Sequence, residues 1–197
     1  MSGIVGSRFN IRGSGLVGSL GTDGQVFTSA GAGKSAVFED AAGGGKILQV
    51  VQRATASAQS TTGETPVATD LYASITPSST DSDIIVMFNC RQTFNDGGTV
   101  TKATGGWQIF RDIGGAGYVA NYPAAETEML GFQLTGASGN FTIYTWPSVM
   151  YRDSPATTSE VTYKYYVYTR VSGGGCTTNM GAAGGGDRCV LLEVDGS

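Results

Sequence analysis

The segment that most constrains the fold is VTYKYYVYTR at residues 161–170. In an extended chain, alternate side chains point to opposite faces, so the odd-numbered residues share one face: Val161, Tyr163, Tyr165, Val167 and Thr169. This face is mostly apolar, the other face is mixed, and no apolar residues repeat at helical spacing. A strand of this composition needs paired neighbours and a second layer over its apolar face. The segment therefore predicts a central strand in a layered β structure.

The rest of the chain from residue 46 contains further strand patterns separated by glycine-rich and polar turns. The predicted strands cover residues 46–53, 66–74, 84–89, 105–111, 118–122, 127–134, 141–150 and 188–194. The continuous apolar run at 84–89 predicts a strand buried on both faces, whereas Pro147 places the 141–150 strand at an edge or beside a bulge. Residues 54–64 are a loop or an exposed edge, and residues 172–187 a long loop. Eight or nine strands without an amphipathic helix predict an all-β, antiparallel β-sandwich of the jelly-roll type at residues 46–197.

Residues 1–45 have a different composition. Twelve of the 31 glycines lie here, and they separate scattered large apolar side chains. Such a segment buries too little surface to fold alone, yet it is too apolar for an inert linker. We expect an extended N-terminal arm that anchors the protein to a neighbouring copy or a larger assembly. The expected anchoring residues are Ile4, Val5, Phe9, Ile11, Leu16, Val17, Val26 and Phe27.

Charge and residue usage exclude several function classes. The net charge is -4 with no basic cluster, which disfavours nucleic-acid binding, and no apolar run is long enough to span a membrane. The chain contains no histidine, the most common general base and nitrogen ligand for metals. Without an apolar leader at residues 1–10, we expect Cys90, Cys176 and Cys189 to be reduced thiols in a cytosolically made protein. The alternative is a disulfide between Cys176 and Cys189 that closes the loop between them.

No catalytic, metal or cofactor site is predicted. The sequence GAGKS at residues 31–35 lacks the first glycine of a phosphate-binding loop, since Thr28 occupies that position. Asp81 and Asp83 are explained by turn chemistry and are too few for a calcium site. Two carboxylate pairs have the composition of a glycosidase site, namely Glu126 with Glu128 and Asp153 with Glu160. Loop carboxylates are usually solvated, so we expect no enzymatic activity and no cofactor.

Aromatic residues provide the candidate ligand-facing positions. They are Trp107, Tyr118, Tyr122 and Tyr151, with Trp146 and Tyr166 as further members of the same set. Aromatic side chains of this kind can line a sugar-binding surface. The same residues also fit half-buried positions in a sheet, which is the more common situation.

Three segments resemble a domain found in structural proteins of bacteriophages, especially marine phages. The segment GTDGQVFTSAGAG at residues 21–33 resembles the GT(D/S)GQVLTS(N/S)GAG segments of phage fibre and head-associated proteins. The segment ITPSSTDSDIIV at residues 75–86 is similar to the element SITPSSTSSKILV, and DSPATTS at 153–159 followed by VTYK at 161–164 is similar to DSPATTSATTYK. The chain departs from this pattern at Arg152, where an apolar residue is usual, and at Glu160, where alanine is usual.

The resemblance implies a virion structural protein, located on a head fibre, a capsid decoration or a tail fibre. Together with the arm and the exposed sheet edges, it leads us to expect a homotrimer that contacts other virion proteins, either the major capsid protein or tail and adaptor proteins. We favour the head surface, with assembly in the host cytoplasm. The alternative is a tail fibre or receptor-binding protein that recognises a host surface glycan through the aromatic residues.

Overall fold

The computed structural model describes residues 22, 24–29, 32, 36–40, 47–54, 57–96, 98, 100–123, 130–137, 142–172, 175–181 and 186–196. For residues 100–103, 130–137 and 171–172 it describes the backbone alone. The chain divides into two compact units, Met1–Gly44 and Gly45–Ser197.

The first unit contains a β-hairpin that the sequence analysis did not predict. Strands β1 (Gln25–Thr28) and β2 (Val37–Asp40) pair antiparallel. Phe27 lies opposite Phe38, with ring centroids 5.0 Å apart. Within the expected extended arm, this cross-strand aromatic pair supports local pairing. Of the expected anchoring residues, Val26 and Phe27 lie on β1, while the six from Ile4 to Val17 lie outside the described residues.

The second unit is all-β. Its strands are β3 (Ile47–Ala54), β4 (Gln59–Thr61), β5 (Val67–Ile75), β6 (Asp83–Asn89), β7 (Gln92–Asp96), β8 (Val100–Ile113), β9 (Val119–Tyr122), β10 (Leu130–Ala137), β11 (Thr142–Thr145), β12 (Ser148–Asp153), β13 (Val161–Ser172), β14 (Cys176–Met180) and β15 (Arg188–Val194). No helix occurs in the part of the chain that the structure describes, and hence none long and apolar enough to cross a membrane.

One layer of the sandwich consists of two four-stranded sheets placed end to end. Their strand orders are β12-β6-β15-β3 and β11-β7-β14-β4. Strands in the same position of the two sheets are consecutive in the chain. For example, β6 leads through residues 90–91 into β7. Hydrogen bonds cross the junction, with the Cys90 amide donating to the Pro147 carbonyl and the Gly181 amide to the Arg91 carbonyl. The junction therefore interrupts the layer without dividing it.

The second layer has the strand order β10-β8-β13-β5, with β9 also paired to β8. Within the two layers, early strands pair with late strands in nested order along the chain. The pairs are β3 with β15, β4 with β14, β5 with β13, β6 with β12, β7 with β11 and β8 with β10. The chain is therefore a long antiparallel hairpin folded into two layers, which is the jelly-roll arrangement. This confirms the predicted fold class.

The core lies between the layers and is centred on β13. The odd-numbered face of VTYKYYVYTR is fully buried, as its alternation predicts, and Tyr165 packs against Phe88 of β6 with ring centroids 5.8 Å apart. The strand β6 is central in its sheet, but only Ile84, Val86 and Phe88 are buried. Its alternate side chains are half-buried on the outer face, so the expectation of burial on both faces was wrong for this chain by itself.

Other differences concern strand boundaries. The predicted strand at 141–150 is two edge strands, β11 and β12, because Pro147 interrupts the ladder. The predicted loop at 172–187 contains β14, whereas the edge strand β4 agrees with one of the two alternatives expected for residues 54–64. Cys176 lies on β14 and Cys189 on β15, and both are free and buried, as is Cys90. The structure therefore contains three thiols and no bridge between Cys176 and Cys189.

Candidate functional site

Asp153 is a cross-link between the layers. It ends β12, and it binds Arg111 of β8, whose Nη1 donates to Oδ1 at 2.8 Å and to Oδ2 at 2.7 Å. The Tyr163 hydroxyl donates to Oδ2 at 2.6 Å and Asn121 Nδ2 to Oδ1 at 3.3 Å. Burial raises the pKa of Tyr163, and the charge of Asp153 raises it further, so this phenol remains a donor.

These contacts indicate a structural role for Asp153. Both of its oxygens accept hydrogen bonds from the opposite layer, whereas Glu160 is exposed. The other carboxylate pair, Glu126 with Glu128, lies outside the described residues. In the described part of the chain, no three histidine, cysteine or acidic side chains come together in a way that could hold a metal ion.

Glu193 holds the turn before β6. Its Oε1 accepts bonds from the Ser78 amide and hydroxyl, both at 2.6 Å, and from the Ser82 hydroxyl at 2.8 Å. Burial opposes ionisation, but these donors outweigh it and hold the pKa of Glu193 below its ordinary value. The turn containing Asp81 and Asp83 is thus fixed to β15 by a carboxylate.

Three of the four candidate ligand-facing residues form one aromatic stack. Trp107 is buried at 7% exposure, with its ring 5.9 Å from Tyr165 and 6.5 Å from Tyr122. Tyr122 stacks on Tyr151 at 4.4 Å, and both pack against the core. Tyr118 is separate from this stack and is 36% exposed.

Tyr118 belongs to a second aromatic group on the outer face of the β5-β13-β8 sheet. We define the tyrosine–lysine patch as Tyr72, Phe110, Tyr118, Lys164 and Tyr166. Lys164 lies between Tyr72 and Phe110, its direct cross-strand neighbours. Its ammonium is 4.9 Å from the Tyr72 ring centroid and 4.8 Å from that of Tyr118. Tyr166 stacks on Phe110 at 4.0 Å and lies 6.2 Å from Tyr118.

Charged groups flank this patch at both ends. Arg53 of β3 reaches from the edge of the other layer and places its guanidinium 3.5 Å from the Tyr72 ring centroid. At the opposite end, burial raises the pKa of Tyr118, and the carboxylates of Asp112 and Glu160 raise it further. Two cations therefore lie beside Tyr72, whereas Tyr118 has both the Lys164 ammonium and the carboxylates of Asp112 and Glu160 nearby.

The outer face of the other layer is apolar. Two rows of directly paired residues cross the sheet: Met150, Met87, Val190 and Gln52, and then Arg152, Ile85, Leu192 and Val50. We call the six apolar members of these rows the apolar platform. Val50 is 60% and Met150 71% exposed, and the four between them are half-buried. The one ion pair bordering the platform in the described chain, Arg152 with Asp83 at 3.3 Å, leaves its edge without net charge there.

Sequence reasoning found Tyr118 and Tyr166 but missed their partners. The signal was present in the mixed face of the 161–170 strand, where Lys164 and Tyr166 alternate with buried residues. Tyr72 and Arg53 could not be associated with them, because the association requires β3 and β5 to lie at adjacent edges of the two layers. The apolar platform likewise depends on the register of four strands.

Comparison with known proteins gives fold-level likenesses alone. No protein-family model and no curated protein sequence matches the chain. Among solved structures, it is similar to a chain in the structure of infectious bursal disease virus Gt strain, with a TM-score of 0.37, 12% identity, and 86% of this chain and 45% of that chain covered. For the infectious bursal disease virus VP2 subviral particle the TM-score is 0.34 and the identity 9%, with coverage of 86% and 45%. The chain spans less than half the length of these viral chains, and likenesses of this strength assign no function.

Proposed function

We propose that this chain is a non-enzymatic structural subunit of a bacteriophage virion, a homotrimeric capsid decoration or head-fibre protein anchored by its N-terminal arm. The observation that supports it is the position of the segments resembling phage structural proteins. Residues 75–86 form the end of β5, the turn bound by Glu193 and most of β6. Residues 153–164 connect β12 to β13. The two segments contact each other, since the Ser154 hydroxyl donates to Asp83. These two segments thus lie together in the sandwich unit.

The apolar platform supports self-association. Soluble monomers rarely expose a contiguous apolar patch larger than a few hundred Å². The platform extends across four adjacent strands, a width of about 14 Å. The Arg152–Asp83 pair at one border of the platform is neutral overall, which limits charge repulsion between identical copies at that border. We assign the platform to the contact between copies around a threefold axis, where closed symmetry covers each of them.

The arm supplies the contact with the particle. On the hairpin of the first unit, Val26 is 43% and Phe27 47% exposed, and the sequence before it contains six more large apolar anchoring residues, Ile4 to Val17. Burial of such side chains stabilises an association by about 1.5–3 kcal/mol each before ordering costs. The partner in this proposal is the major capsid protein.

Immunogold labelling of purified virus particles, with antibody against residues 46–197, tests the location. Dense labelling over the head is the expected result. Labelling confined to the tail would refute the decoration and head-fibre proposal, and unlabelled particles would refute a virion location altogether.

Sedimentation equilibrium of the full chain tests the trimer. We expect three times the chain mass of 20.3 kDa, and we expect the double variant Val50→Asp/Met150→Asp to sediment as a monomer. Both side chains are exposed in the single chain, so their replacement should leave its folding intact. Thr158→Asp places a single aspartate on an exposed loop, outside the platform, and should remain trimeric. A monomeric wild type, or a trimeric double variant, would contradict the assignment.

A second function is favoured by the tyrosine–lysine patch: a tail fibre or receptor-binding protein that recognises host surface glycan. The patch combines one exposed ring, Tyr118, and half-buried rings with charged groups, and aromatic rings with a few polar groups can form a saccharide site. This function predicts few copies per particle and adhesion of the purified protein to host cells. Loss of adhesion on Tyr118→Ala would support it, and absence of adhesion by the wild type would exclude it.

A further inference from the structure

Two cations lie at the Tyr72 end of the tyrosine–lysine patch: Lys164, which belongs to the patch, and Arg53, which flanks it. Within the described residues, the ion pairs are Arg111 with Asp153 and Arg152 with Asp83. Neither Arg53 nor Lys164 is among them, although both lie within 5 Å of the Tyr72 ring centroid. In a chain of net charge -4, two cations that lie beside one ring and form no ion pair among the described residues can attract an anion.

The other end of the patch adds carboxylates. The Asp112 carboxylate accepts a bond from the Gly117 amide at 2.9 Å and, with Glu160, lies close enough to influence the Tyr118 phenol. Ionised carboxylates are acceptors alone, so this end is suited to donors such as sugar hydroxyls. A saccharide ring presents C–H groups on its face and hydroxyls at its edge, which matches an exposed tyrosine bordered by carboxylates.

The patch differs from a protein-docking face. Charged and hydroxyl groups lie among and beside its rings: Lys164 between Tyr72 and Tyr118, and the Ser74 and Thr162 hydroxyls, 2.7 Å apart, in the next cross-strand pair. The apolar platform on the opposite layer has no such groups between its six members. A single-stranded nucleic acid would stack on the tyrosines and bind the cations, but its next phosphates would meet Asp112 and Glu160.

We propose that the outer face of the β5-β13-β8 sheet binds an acidic saccharide. Its carboxylate or phosphate group binds Arg53 and Lys164, its adjoining ring stacks on Tyr118, and its hydroxyls donate to Asp112 and Glu160. The site belongs to the sandwich unit and does not depend on where a virus particle carries the protein. Binding experiments with the purified protein test the saccharide site, whereas labelling of virus particles tests the location of the protein.

Calorimetric titration of the full chain with three acidic saccharides tests the proposal. The probes are tetragalacturonate, 3′-sialyllactose and mannose 6-phosphate, and their neutral counterparts are methyl-esterified tetragalacturonate, lactose and mannose. We expect at least one acidic probe to bind about tenfold or more tightly than its neutral counterpart, because only the acidic probe can form charge-assisted hydrogen bonds with Arg53 and Lys164. We also expect its affinity to fall as salt is raised.

Variants distinguish a binding site from a patch that is purely structural. Lys164→Gln removes the charge and should weaken the acidic probe by roughly 10- to 100-fold, with little effect on its neutral counterpart. Tyr118→Ala removes the stacking surface and should weaken both members of the pair by roughly 3- to 10-fold. Thermal unfolding of each variant, measured in parallel, checks that it is folded.

The matched control is Tyr144→Ala. Tyr144 is 52% exposed on β11 of the other layer, and Arg91 lies 4.8 Å from its ring centroid, so it has the same pairing of cation and ring. This variant should bind the acidic probe as the wild type does. The proposal is overturned if all three acidic probes bind no better than their counterparts, if folded Lys164→Gln binds like the wild type, or if oligodeoxythymidylate binds more tightly than any saccharide.

Discussion

Two arginine–aspartate pairs in this sandwich should contribute very differently to stability, and the substitution Arg111→Met tests why. The carboxylates are matched, because the side chains of Asp153 and Asp83 are 13% and 14% exposed. The arginines differ: Arg111 is 23% exposed and 2.7 Å from its partner, whereas Arg152 is 69% exposed and 3.3 Å away. Arg152→Met is therefore the control for the same chemistry at the surface.

The expected magnitude follows from what each substitution leaves behind. Removing one partner of a fully buried ion pair costs about 3–5 kcal/mol, because the other charge remains uncompensated. Arg111 is partly exposed, and Asp153 keeps the Tyr163 and Asn121 donors, so we expect Arg111→Met to lower the free energy of unfolding by about 2–3 kcal/mol. Arg152→Met should lower it by less than about 1 kcal/mol, since exposed pairs are screened by water.

Urea unfolding at neutral pH measures both values. All proteins should be compared at one concentration, because association shifts apparent stability. The slope of the unfolding free energy against urea concentration should be the same for all of them. Salt at about 1 M should reduce the effect of Arg152→Met more than that of Arg111→Met. Equal losses for the two variants, or a loss below about 1 kcal/mol for Arg111→Met, would refute the view that Asp153 cross-links the layers.

Three more predictions concern single side chains. Glu193→Gln should lower the free energy of unfolding by about 1–2 kcal/mol at pH 7. Because the folded pKa of Glu193 is depressed, the wild-type advantage should be complete above the ordinary value of 4.5 and be lost as the pH falls through the folded pKa. Gly196→Ala should lower the melting temperature by several degrees, since its Cβ would lie 1.8 Å from the Asp81 carbonyl oxygen. Cys90 and Cys189 should resist thiol reagents at pH 8 until urea unfolds the protein, because burial raises the pKa of each thiol to about 12.

Each of these has its own control and contrary outcome. Glu64→Gln changes an exposed carboxyl and should alter the free energy of unfolding by less than about 0.5 kcal/mol at pH 7, so an equal loss in both variants would count against the Glu193 contact. Gly98→Ala places its Cβ in open space, and a melting temperature lowered as much as by Gly196→Ala would show that close approach is not the cause. Rapid labelling of a thiol in the folded protein would contradict the burial of the cysteines.

The main strands could be predicted because their side chains alternate. In VTYKYYVYTR the odd-numbered residues are valine, tyrosine and threonine, and all are fully buried, so a period of two was enough to identify the inner face. The strand β14 escaped prediction because CTTNM has small polar residues. Thr178 of this strand is buried, and its hydroxyl accepts a hydrogen bond at 2.7 Å from the hydroxyl of Thr169, which lies in the other layer.

The sequence by itself determined the class of fold and the two chemically distinct regions of the chain, because alternation and glycine content are local properties. Tertiary structure alone decided which strands pair, and therefore which residues share an outer face. Ile85 and Leu192 are far apart in sequence and become neighbours through the register of β6 and β15, which creates the apolar platform. Arg53 and Lys164 meet at Tyr72 because two layers place their edges side by side. Strand pairing within a layer and side-chain contact between layers both join residues far apart in sequence, and no local pattern in the chain specifies them.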